Sequence, residues 1–209
     1  MSLAEEQPPF PAEIWPALAN KLWHATHIDR ALAIVADGEI RPDAPSKYSA
    51  GYCRSQRGVS LFDFRDQGSA ENASFCGAGL WLSGHHAEGE EEIGVWFEVD
   101  VDPHIKAAEI YRHYWANRRY DEQDRLLFRD PMPKCEACFI GPIPLGAVTS
   151  VLLIDARRLA EHRTVPPGEG LSVAISEFRA RVRAKLPLPP TWADILKESS
   201  RHRQRRAED

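Results

Sequence analysis

The feature that most limits how this chain can fold is a series of short apolar runs rich in β-branched and aromatic residues. They are "GVSLFDF" at 58–64, "LWLS" at 80–83, "EIGVWFEVDV" at 92–101 and "EACFIGPIPLGAVTSVLLID" at 136–155. Each has strand length, and irregular, turn-rich stretches separate them. The last holds a strand, a bend marked by Pro and Gly, and a second strand. Strong helical patterns are few. The clearest is "LSVAISEFRARVRAKL" at 171–186, with Val173, Ile175, Phe178 and Val182 as its expected apolar stripe and Pro187 as its stop. A weaker helical spacing runs over 105–128. Several strands, few helices and irregular connections predict a single α+β domain around an antiparallel or mixed sheet.

At 209 residues the chain fits one domain with a sizeable core. The expected division is a flexible lead-in over 1–20, rich in Pro and Glu, a folded domain over 21–186, and a basic linker and tail over 187–209. With no long apolar run and no secretory pattern at the start, the expectation is a cytoplasmic protein without a membrane span. Charge is uneven. From Asp155 onward there are 12 Lys/Arg against 8 Asp/Glu, a net +4, whereas the first 154 residues hold 14 against 23, a net −9. An acidic body of this kind disfavours indiscriminate binding to nucleic acid.

The segment "KLWHATH" at 21–27 reads as a strand running directly into a helix, "IDRALAIVADG" at 28–38. Asp29 is its expected N-cap, Leu32, Ile34 and Val35 its apolar face, and Gly38 its stop. The strand therefore ends in a His-Ala-Thr-His cluster just where a helix begins. Side chains two apart on a strand share a face, so His24 and Thr26 point together and His27 points away. The stretch from Pro42 to Arg57 reads as a loop, and it carries Tyr48, Tyr52, Arg54 and Arg57.

Four cysteines are present, but only Cys135 and Cys138, in "CEAC", have ligand spacing. A four-cysteine zinc site takes two close pairs, so Cys53, Cys76, Cys135 and Cys138 read as free thiols and no metal is expected. His85 and His86, in "HHAEGEEE", read as part of an acidic loop. The chain contains no P-loop, dinucleotide-binding glycine fingerprint, Gly-x-Ser-x-Gly elbow or His-Glu-x-x-His pair.

"LWHATHIDRALAIVADGEIRP" at 22–42 resembles the start of ADP-ribosyltransferases of the DarT type, in which a strand ending His-x-Thr-His enters a helix followed by a Gly turn. "KCEACFIGPIPLGAVTSVLL" at 134–153 resembles the strand that carries that family's catalytic Glu. The resemblance implies an ADP-ribosyltransferase-like fold, a split mixed or antiparallel sheet with flanking helices, and NAD as substrate. It further implies that Glu136 is the catalytic carboxylate and that His24 and Thr26 hold the ribose and nicotinamide side. Arg57, expected with Glu136 among the catalytic residues, would with Arg54 face the diphosphate, Tyr52 or Tyr48 would stack on a ring, and Ser60 would be the strand-borne hydroxyl.

Taken singly, several of these residues have plainer readings. His24 suits a hydrogen-bonded core position, the arginines a solvated loop, the tyrosines loop anchors, and Ser60 an outward polar site on an alternating strand. The implied activity is transfer of ADP-ribose to a nucleic-acid or protein acceptor. The alternatives are an RNA 2-phosphotransferase-like enzyme that also uses NAD, and a non-catalytic nucleic-acid or partner-binding module.

Overall fold

The computed structural model describes residues 13–43, 52–65, 93–110, 112, 135–155 and 158–185. Two helices and two strands open the chain: α1 (Trp15–Leu18), β1 (Leu22–His27), α2 (Ile28–Asp37) and β2 (Glu39–Ile40). A short α3 (Tyr52–Ser55) leads into β3 (Gly58–Asp63), and β4 (Ile93–Val99), β5 (Glu136–Ile140), β6 (Ile143–Pro144) and β7 (Val148–Asp155) follow. The last described elements are β8 (Arg163–Val165) and α4 (Leu171–Arg183). The fold is α+β: a six-stranded sheet in the order β5-β3-β1-β4-β7-β8, antiparallel at every described pairing, beside a two-stranded β2-β6 pair.

Strand alternation sorts the core onto the two faces of the sheet. Leu22, Val59, Leu61, Val95, Phe97, Ala137 and Leu153 form one apolar layer, closed by Ile28 and Ala31 of α2 and by Leu171, Ile175, Phe178 and Val182 of α4. Trp23, Ala25, Phe62, Phe64, Trp96, Leu152 and Ile154 form the other. Burying a side chain of this size contributes about 1.5–3 kcal/mol, so these two layers, rather than surface ion pairs, hold the sheet.

The second layer corrects the boundary of the lead-in. Ile14 and Leu18 are fully buried against it, and Trp23 Nε1 donates to the carbonyl of Leu18 at 2.9 Å. The aromatic face of β1 needs a cover, and Ile14, which caps α1, and Leu18, at its end, supply it four residues apart. The packed chain therefore starts before residue 21.

Three local expectations also change. His27, not Asp29, is the N-cap of α2: it is extended, at φ −80° and ψ 156°, and its Nδ1 accepts from the backbone N–H of Asp29 at 3.4 Å. Because β1 enters α2 with no intervening residue, the last strand residue must serve as cap, and Asp29, the second residue of the helix, instead accepts from Arg179 Nη1 of α4 at 2.8 Å. On α2, Ile28 and Ala31 are the buried residues, with Leu32, Ile34 and Val35 packed around them. On α4, Val173 is 57% exposed, and Leu171 takes its place in the stripe. At 3.6 residues per turn Leu171, Ile175, Phe178 and Val182 share a face that Val173 opposes.

The strand readings at 58–64, 92–101 and 136–155 and the strand-to-helix reading at 21–38 agree with the structure, and Gly38 closes α2 in the left-handed region at φ 74°. Of the 105–128 helical reading only 105–110 and 112 are described, helical from 107. Tyr48, Cys76, the strand reading at 80–83, the His85 and His86 loop and the basic tail lie outside the described residues.

Candidate active site at the β1–β3 seam

The sheet has two well-laddered halves. On one side, β1 pairs with β4 from Trp23 opposite Glu98 to His27 opposite Gly94. On the other, β3 pairs with β5 from Gly58 opposite Ile140 to Phe62 opposite Glu136. Between them, β1 and β3 are in register at Leu22 opposite Asp63 and Trp23 opposite Phe62. At the next step a side chain enters the seam: His24 Nδ1 lies 3.1 Å from the carbonyl oxygen of Ser60.

That contact sets the state of the imidazole. A carbonyl only accepts, so Nδ1 carries the proton. Burial pushes the His24 pKa below its ordinary value, with the bond to Ser60 opposing in part, so the neutral ring dominates near pH 7. The neutral tautomer with Nδ1–H leaves Nε2 as an acceptor, suited to a hydroxyl donor.

Ser60 also meets the candidate carboxylate. Its hydroxyl donates to Glu136 Oε1 at 2.9 Å. Glu136 is the first residue of β5 and 8% exposed, one of two buried carboxylates among the described residues. Thus Ser60 joins His24, through its carbonyl, to Glu136, through its hydroxyl. It is not an outward-facing bystander.

Thr26 sits opposite Val95, two positions beyond His24 and on the face of Leu22. Ser60 and Glu136 alternate onto the face of Phe62. By alternation His24, opposite Phe97, shares the face of Leu22 with Thr26, and it meets Ser60 only through the backbone carbonyl, whereas the side chains of Ser60 and Glu136 join on the other face.

The arginines lie upstream of β3. Arg54 is in the last turn of α3, and Arg57, exposed, turns the chain into β3 with a left-handed φ of 55°. Its N–H donates to Arg54 O at 2.9 Å, and its carbonyl accepts from Gly141 N–H at 3.1 Å. Tyr52 packs with Cys53, Ile105, Ile110 and Cys138, and burial, then Glu109 and the two cysteines, raises its phenol pKa. That is the environment of an anchor.

Gly58 lets α3 lie close to β5, because a Cβ there would stand 2.4 Å from Cys138 Sγ and 2.9 Å from the carbonyl of Phe139. This approach puts Cys53 Sγ 3.5 Å from Glu136 Oε1, a neighbour that sequence reasoning missed. Cys53 was legible only as a thiol in a loop; its partner is 83 positions away. Cys135 and Cys138, the "CEAC" pair, are buried in different apolar clusters. Among the described residues no group of three or more His, Cys, Asp or Glu side chains is arranged to hold a metal, and no helix is long and apolar enough to cross a membrane.

Compared with family models, curated proteins and solved structures, this chain matches none.

Proposed function

We propose that this chain is an NAD-dependent ADP-ribosyltransferase of the DarT type, with the corresponding fold, moving ADP-ribose to a nucleic-acid or protein acceptor and releasing nicotinamide. The observation that carries this reading is the hydrogen-bonded set at the seam: Glu136 fixed by the Ser60 hydroxyl at 2.9 Å, and His24 fixed by the Ser60 carbonyl at 3.1 Å.

Those groups suit the chemistry. Cleaving the bond between nicotinamide and ribose develops positive charge on the sugar. A held carboxylate that accepts from the ribose 2-hydroxyl grips harder as that charge grows, so it favours the transition state over the bound substrate. Nε2 of neutral His24 accepts from a second ribose hydroxyl. Arg57 and Arg54 offer guanidinium forks to the diphosphate, and Thr26 adds a hydroxyl from the same face of β1 as His24.

Two rivals fare less well. A 2-phosphotransferase would rest on arginines more than on a carboxylate, yet here the carboxylate is the buried, fixed group and Arg57 is exposed. A binding module stapled by zinc at "CEAC" needs Cys135 and Cys138 to converge, and they pack in separate clusters.

The test is incubation with NAD labelled on its adenylate, at about 1 mM, the upper end of ordinary KM values, with single-stranded DNA, RNA and protein acceptors in parallel. Nicotinamide release with label transferred to one acceptor class is expected. No release and no stabilisation by NAD would overturn the reading.

A further inference from the structure

Cys53 is an unexpected neighbour for a carboxylate. It is 2% exposed, and its Sγ lies 3.5 Å from the same oxygen, Glu136 Oε1, that accepts from Ser60. A thiol has one proton to give. Its other neighbours are the carbonyl of Ala137 at 3.6 Å and the sulfur of Cys138, and a carboxylate is a stronger acceptor than either. The thiol also stays protonated: hydrogen bonding with Cys138, then burial and the Glu136 charge, pushes its pKa up.

The placement is built in. Cys138 Sγ lies 4.0 Å from the Cys53 carbonyl, and the glycine at position 58 permits this approach, since any Cβ there would meet the Cys138 sulfur. The terminal torsion of a glutamate is broad and roughly two-fold. One donor from β3 and another from α3 on a single oxygen select one of its orientations.

Resting on the function proposed above, we infer that Cys53 is a positioning residue: with Ser60 it holds Oε1 of Glu136, so that the carboxylate meets the substrate ribose in one fixed orientation. Cys53 itself touches no reacting atom.

Two measurements on the full chain test this. In steady-state nicotinamide release, Cys53→Ala should lower kcat about tenfold with the KM for NAD within about twofold, and Cys53→Ser, which keeps a donor, should recover to within about threefold of wild type. Equal loss in both variants, or a change in KM alone, would overturn the inference. The second readout needs no turnover. The infrared S–H stretch of Cys53, identified by its loss in Cys53→Ala, should rise in frequency in Glu136→Gln, whose amide is a weaker acceptor. An unmoved band would overturn the donor assignment. If wild type releases no nicotinamide while the band still moves, the transferase reading falls and the catalytic half of this inference with it, leaving the contact between Cys53 and Glu136 established.

Discussion

The β4–β7 pair and the β3–β5 pair are both antiparallel ladders, yet they bury different chemistry. Between β4 and β7, Val95 faces Leu153, Trp96 faces Leu152 and Phe97 faces Val151, all fully buried apolar residues. Between β3 and β5, Ser60 faces Cys138 and Phe62 faces Glu136, with a third polar group, the Cys53 thiol, folded over them. A carboxylate in that position is stable only when hydrogen-bonded, since an unpaired buried polar group costs about 1–3 kcal/mol and a charge more. The β4–β7 ladder buries a carboxylate too, Asp155 at its end, but a cation, Arg158 Nη1 at 3.1 Å, pairs with it. The rest of that half is made for packing. The other accepts a polar burden at a seam that His24 enters, and that contrast is the physical case for a site there.

The largest effect that would sharpen the contrast is in the packed half. Leu153→Ala should lower unfolding stability by about 2–5 kcal/mol, measured by urea denaturation, because the fully buried site leaves a cavity. Activity per folded molecule should be retained. If Leu153→Ala were as mild as a surface change, the division between the halves would be wrong.

Next in size is a pH effect at the seam. His24 is held below its ordinary value of 6.5, so the unfolded chain binds the extra proton as pH falls below that value while the folded chain does not. Its contribution is therefore complete above pH 6.5 and declines below it, by up to about 1.4 kcal/mol per pH unit, until the folded pKa is reached. Denaturation curves for wild type and His24→Asn across pH 5–8 should differ in slope below about 6.5 by that amount. Parallel curves would remove His24 from the seam's buried groups.

The smallest effect concerns Arg57. A left-handed backbone at a non-glycine residue is strained by about 1–2 kcal/mol, part of which glycine gives back to unfolded-state entropy. Arg57→Gly should therefore leave stability within about 1 kcal/mol of wild type or slightly above it. If the guanidinium serves the diphosphate, the KM for NAD rises several-fold in the same variant. An unchanged KM would assign Arg57 to the turn alone.

Much of the fold was readable because it is local. Strand alternation in "GVSLFDF" and "EIGVWFEVDV", the helical spacing from Leu171 to Val182 and the Gly38 stop all depend on neighbours within a turn or two. The misses share a cause. Asp29 has the side chain of a habitual cap, but the absence of any residue between β1 and α2 gives that task to His27. Ile14 and Leu18 are core because Trp23 and Trp96 need a cover, a demand visible only once the sheet exists.

At the candidate site, Glu136, His24 and Ser60 were each recognisable by type. Their connection depends on the β3–β5 register, which joins positions 76 apart, and on the close approach at Gly58. Cys53 carried no local signal of its role.

The role of Glu136 is tested by comparing wild type with Glu136→Gln in NAD binding, by calorimetry, and in nicotinamide release. Oxygen-to-nitrogen exchange keeps the shape and removes the charge. NAD affinity should hold while release falls about 10²–10³-fold, the loss expected for a group that stabilises developing charge. Release at the wild-type rate from Glu136→Gln would contradict that role.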